Sequence, residues 1–132
     1  VIVIDSPVGR LGLAVCYDLR FPELFRAMMD KGAEVISLPA AFTAVTGRAH
    51  WDILVRARAI ENLAYVVASA QGGFHIKGRE TYGHSMLVDP WGSVLDQRER
   101  GNGFAIGTIN RDFQHNTRRN FPCLEHRHLT CR

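Results

Sequence analysis

Residues 12–23 read Gly12-Leu13-Ala14-Val15-Cys16-Tyr17-Asp18-Leu19-Arg20-Phe21-Pro22-Glu23. The run changes character twice. Its apolar start, together with Arg10 and Leu11, predicts a strand over 10–15 buried on both faces. Pro22 suits the first turn of a helix, where its missing N–H would be unpaired anyway. That helix is expected over 22–31, with Leu24, Phe25, Met28 and Met29 as its apolar side and Gly32 as its stop. Cys16 then falls on a strand-to-helix turn. Such a turn exposes a nucleophile while the next backbone N–H groups point at a reacting oxygen. A helix N-terminus also favours a thiolate. On spacing alone the commoner alternative is an inert, buried cysteine.

Working outward, residues 1–4 (VIVI) read as a strand and Ser6-Pro7-Val8-Gly9 as its turn. Because the chain opens on Val1 in a strand-like run, we expect it to be the C-terminal part of something longer. Downstream, a short buried strand is predicted at 35–38 and a loop at 39–47. A helix follows over 49–63, with Ile53, Ala57, Ile60 and Ala64 as its apolar stripe and Leu54 widening it. A strand at 65–70 and a polar loop at 72–81 come next. Strands at 84–89 and 93–96 flank Asp89-Pro90-Trp91-Gly92, a hairpin turn by composition. A last strand is predicted at 104–109 and a short polar helix at 111–120. Strands with two interposed helices plus a hairpin predict an α/β fold with a mixed sheet. The helices suffice for one face of that sheet, so covering elements are expected from elsewhere.

The 132 residues, 46% hydrophobic and 22% charged, suit one ordinary globular domain. No run approaches the roughly 18 apolar residues of a membrane span, and no signal peptide opens the chain. From Arg111 onward five arginines face Asp112 and Glu125, and the rest of the chain balances, so the net charge of +3 sits at the end. We therefore divide the chain into residues 1–112, the domain proper, and a basic tail at 113–132. The expected role of the tail is subunit contact rather than nucleic acid or membrane binding. The three cysteines, Cys16, Cys123 and Cys131, are odd in number and lack a CxxC pair. A disulfide scaffold or zinc site is not expected, and a cytoplasmic location is.

Six histidines (His50, His75, His84, His115, His126 and His128) keep a Cys–His hydrolase open, with His50 or His84 as base. Lys31 and Lys77, the only lysines, sit at a helix end and in a polar loop. Asp18 is a candidate cap for the Pro22 helix, and Arg20 and Glu23 for local pairing. Arg58 and Glu61, three apart on one helix, read as a surface ion pair worth a few tenths of a kcal/mol.

The run through Cys16 resembles the nucleophile motif of the nitrilase superfamily of carbon–nitrogen hydrolases. Three more runs agree in order. They are Leu38-Pro39-Ala40-Ala41-Phe42-Thr43, then His50-Trp51 with Arg56-Ala57-Arg58-Ala59-Ile60-Glu61-Asn62, then Tyr82-Gly83-His84-Ser85-Met86 with Val88-Asp89-Pro90-Trp91-Gly92. Among the branches, the amidases acting on deaminated glutathione and on ω-amides are the most similar. The resemblance implies the C-terminal half of an α-β-β-α sandwich, usually dimerised, with a Glu–Lys–Cys catalytic set and no cofactor or metal. Only Cys16 carries over as nucleophile, with the Tyr17 N–H as oxyanion donor. The Glu and the Lys precede the cysteine motif in the family, and none of the fifteen residues before Cys16 is either. The implied function is an amidase on small carboxylate-bearing amides, with this chain inactive alone. Phe42, Thr43 and Arg48 are the candidate substrate contacts, Arg48 for a substrate carboxylate. The alternative is a non-catalytic half-chain that pairs with another subunit.

Overall fold

The computed structural model describes residues 1–129, so Cys131 and the end of the basic tail lie outside it. The elements run β1 (Val3–Ser6), β2 (Gly9–Leu13), α1 (Pro22–Asp30), β3 (Val35–Ser37), α2 (Ala44–Asn62), β4 (Tyr65–Ala68), β5 (Gly72–Phe74), β6 (Glu80–Tyr82), β7 (Ser85–Val88), β8 (Val94–Arg98) and α3 (Arg111–Asn120). Six strands form a mixed sheet in the order β1-β2-β3-β4-β7-β8. The pairs β2–β3 and β3–β4 are parallel and the other pairs antiparallel. Parallel neighbours need a crossover, and α1 and α2 supply the two required.

Register sets the two faces of the sheet. Gly12, Ile36, Val66 and Val88 lie in one row, and the last three are buried in one core with Phe25, Met28, Val55 and Ala59. Glycine at position 12 lets α1 sit close, since a Cβ there would come within 2.8 Å of the Met28 sulfur. The next row, Leu13, Ser37, Val67 and Leu87, points to the opposite face. Leu13 and Val67 remain 39% and 42% exposed there, so β2 is buried on one face and not on both as expected, within the half-covered sheet that the helix count predicts.

Three expectations are corrected. Residues 104–109 form no strand. The Ile106 N–H goes to the Asp96 carboxylate at 2.7 Å. Gly107 lies against Leu87 and Leu95, so this segment crosses the second face of the sheet instead of extending its edge. The stretch 72–81 is not a loop but the β5–β6 hairpin, its tip turned by left-handed Lys77 and Gly78. Finally, α2 begins at Ala44, with Thr43 as N-cap, and buries a different face from the one expected. Ile53 and Ile60 are exposed, while Trp51, Val55, Arg58, Ala59 and Asn62 are buried. Two polar residues lie in the buried row, Arg58 donating to Leu19 O and Asn62 donating through Nδ2 to Arg58 O, and an apolar count therefore selects the wrong side.

Candidate active site

Cys16 stands where β2 has ended and a short 3-10 turn, Cys16–Arg20, begins. The Ala14 N–H donates to Ser37 O at 3.0 Å and the Cys16 N–H to Pro39 O at 2.8 Å, so the run from β2 stays anchored beside β3 up to the cysteine. Cys16 itself has φ +46°, a left-handed conformation that is costly for a residue with a side chain. The surroundings over-determine it. Asp18 accepts the Val15 N–H on its carboxylate at 2.8 Å and donates its own N–H to Val15 O at 2.9 Å. Asp18 thus closes the cysteine turn and does not cap α1. The first bond within the turn comes from the Asp18 N–H, so the Tyr17 N–H has no partner inside it. That leaves a backbone donor next to the sulfur for a developing oxyanion.

The far end of the turn is held from α2. Leu19 is fully buried, and its carbonyl accepts from Arg58 Nε at 3.0 Å and Nη2 at 2.8 Å. Arg58 Nη1 meets Glu61 Oε1 at 3.0 Å, with the Arg58 side chain 6% exposed, and its guanidinium lies 5.3 Å from the centre of the Phe25 ring. The pair expected at the surface is therefore a buried brace under the cysteine turn. Arg20 stacks against Tyr17 and Phe42, 5.4 and 5.1 Å from their ring centres. Its Nη1 reaches His50 Nδ1 at 3.2 Å.

Cys16 opens into a cavity of about 550 Å³ walled by Val15, Pro39, Ala40, Ala41, Ser69, Ala70, Gln71 and Ser85. Ser85 is spent on the opposite wall, its hydroxyl accepting the Ala70 N–H at 2.9 Å and donating to Ala70 O at 3.2 Å. No histidine, lysine or carboxylate is among the described residues of this wall. His84 instead stacks on Tyr82 at 3.9 Å, and His50 is held by Arg20. The structure thus brings neither histidine to the sulfur.

The other expected site residues are dispersed. Phe42 is buried, edge-on to Trp51 at 5.0 Å, so it backs the site from the core and does not line the cavity. Thr43 caps α2 and its hydroxyl meets that of Thr46 at 2.9 Å. Arg48 reaches Glu80 at 3.6 Å. Sequence reasoning missed Gln71, Ser85 and the brace at Arg58. The available signal for Arg58 was its place three residues after Val55, on the row that Trp51 marks as buried.

The carbon–nitrogen hydrolase family profile matches residues 1–119. The chain belongs to that family. This carbon–nitrogen hydrolase chain is 49% identical over 124 residues to deaminated glutathione amidase of Homo sapiens, covering 94% of itself and 38% of that protein. The NitFhit protein of C. elegans superposes with a TM-score of 0.94 at 48% identity, over 97% of this chain and 31% of the other. The amidase of Nesterenkonia sp. AN1, in a structure showing Michael addition of acrylamide at its active site cysteine, superposes with a TM-score of 0.73 at 29% identity. That match spans 92% of this chain and 47% of the other. The chain therefore spans less than half the length of these relatives.

Proposed function

We propose that the protein carrying these residues is an amidase acting on small carboxylate-bearing amides, 2-oxo or ω-amides, through a thioester on Cys16. The observation that supports this reading best is the cysteine turn: a strained nucleophile position, an unpartnered N–H after it, and a cavity in front. The Cys16 thiolate forms an S–C bond to the amide carbonyl, and the Tyr17 N–H steadies the oxyanion. The C–N bond then breaks and the amine leaves with a proton from a general acid. Water cleaves the thioester, releasing the acid and restoring the thiol. The resemblance supplies the acid–base Glu and the Lys from outside these residues. Deaminated glutathione, named for the human relative, is a substrate of this class.

A second reading, a non-catalytic half-chain pairing with another subunit, is favoured by the cavity wall, whose described residues include no base. One experiment separates the two. The full protein carrying this chain is assayed for product acid from 2-oxo and ω-amides, with Cys16→Ala beside it. Hydrolysis that the variant loses by at least about a thousandfold supports the amidase. No hydrolysis of either class leaves the non-catalytic reading.

Self-association is part of the proposal. Val45, Ile53 and Ile60 leave an apolar row exposed along α2, at 77%, 68% and 45%. Such a row favours burial against a second copy.

A further inference from the structure

A second cavity of about 580 Å³ adjoins the cysteine cavity, sharing Ala41 and Gln71 as a common wall. Its remaining walls come from the β5–β6 hairpin. The His75 N–H donates to Arg79 O at 2.7 Å across the hairpin tip, which brings both side chains to the same chamber. His75 Nε2 is in turn held by the Thr81 hydroxyl at 2.7 Å. Arg79 is the one formally charged side chain among the described residues that line it. Of the two guanidinium groups nearby, Arg100 binds Glu80 at 2.5 Å and Arg48 reaches the same carboxylate at 3.6 Å, and neither lines this cavity. Arg79 makes only a long contact, 3.4 Å, to Ala41 O on the shared wall. Its fork of donors suits a carboxylate bidentately.

The reacting carbonyl of an amide fills little of the cysteine cavity, and a substrate long enough to pass Ala41 and Gln71 would carry its far end to the second cavity. We propose that the β5–β6 chamber is a distal subsite in which Arg79 binds a carboxylate at the end of the substrate remote from the scissile amide. This rests on the amidase reading and deepens it by assigning the charge of the substrate's far end. Arg79 is a different group from Arg48, which lines neither cavity.

The test uses the full protein and two amides that share the glutaryl group and differ at the far end of the leaving amine, carboxylate against methyl: N-glutaryl-5-aminopentanoate and N-glutarylpentylamine. Hydrolysis of either consumes one water and releases glutarate, with 5-aminopentanoate or pentylamine as leaving amine. Arg79 is exposed, so Arg79→Ala is expected to fold. The variant is expected to raise KM for N-glutaryl-5-aminopentanoate at least about tenfold, one bidentate charged contact, and to leave N-glutarylpentylamine within about twofold. Arg79→Lys is expected to recover part of the loss. An equal change for both amides, or none, overturns the subsite. If wild-type protein hydrolyses neither, the 2-oxo and ω-amide assay decides the amidase reading, and the same compounds titrated as ligands decide the subsite. A Kd for N-glutaryl-5-aminopentanoate that is weakened about tenfold by Arg79→Ala, with the pentylamide unaffected, sustains it. Equal or undetectable binding overturns it.

Discussion

At the guanidinium of Arg58, two N–H groups meet the carbonyl of Leu19 and a third meets Glu61. Truncation to alanine strands a buried carbonyl and takes the brace from beneath the cysteine turn. Arg58→Ala is expected to lower stability by about 2–3 kcal/mol, the cost of an unsatisfied buried acceptor with partial loss of its neighbour. It is also expected to slow iodoacetamide alkylation of Cys16. Urea unfolding and thiol mass labelling read the two effects. Arg58→Lys, a point charge without the fork, is expected to restore only part of either. Unchanged labelling in Arg58→Ala would detach the brace from the nucleophile. At this scale Cys16 was legible because its motif is contiguous. Arg58 was not, because the carbonyl it serves lies 39 residues away.

The element that diverged most from its sequence pattern is α2. Gly47 reads as a loop residue, yet it sits inside the helix because Tyr82 of β6 packs onto it, and a Cβ there would fall 2.2 Å from the Cβ of Tyr82. Gly47→Ala brings the roughly 1 kcal/mol gain of alanine over glycine in a helix, set against about 1–3 kcal/mol of overpacking. The sub-van der Waals approach makes the second effect win, so a lower urea midpoint is expected. A higher midpoint would mean that β6 does not press on this helix. The β5–β6 hairpin escaped detection for a related reason. Its glycines and polar side chains carry no alternation, and its pairing is set by left-handed residues at the tip and by contact with α2. The mixed character of the sheet, by contrast, followed from the apolar strands, the two interposed helices and the hairpin.

Across the whole molecule, Glu34 ties the sheet to α3. Its carboxylate accepts the Arg10 N–H at 2.9 Å and contacts Arg111 and His115 at 3.3 and 3.1 Å. Burial works to raise its pKa, but the Arg10 N–H, His115 and Arg111 outweigh burial and hold it below the ordinary carboxylate range. A depressed folded pKa stabilises the fold at pH above the unfolded value, and the contribution is lost as pH falls through the folded one. Wild type and Glu34→Gln are therefore expected to converge in stability as pH falls from above the unfolded carboxylate range through the lower folded pKa of Glu34. A gap that stays constant over that range would remove Glu34 from the acid limb. The apolar row on α2 gives a second expectation at this scale. Ile53→Lys is expected to shift the protein to a smaller species in sedimentation, and an unmoved distribution would place the contact elsewhere. The uncovered sheet face was anticipated from the helix count. The path of residues 104–109 across it was not, because the close approach of Gly107 to Leu87 and an Asp96 contact decide it.

The central claim is that Cys16 attacks the amide. The most direct measurement is intact and peptide mass spectrometry of the full protein quenched in acid during turnover of N-glutaryl-5-aminopentanoate. A glutaryl adduct is expected on the peptide containing Cys16, absent in Cys16→Ser and cleared by hydroxylamine as a thioester is. Steady hydrolysis with no adduct on Cys16, undiminished in Cys16→Ser, would contradict it.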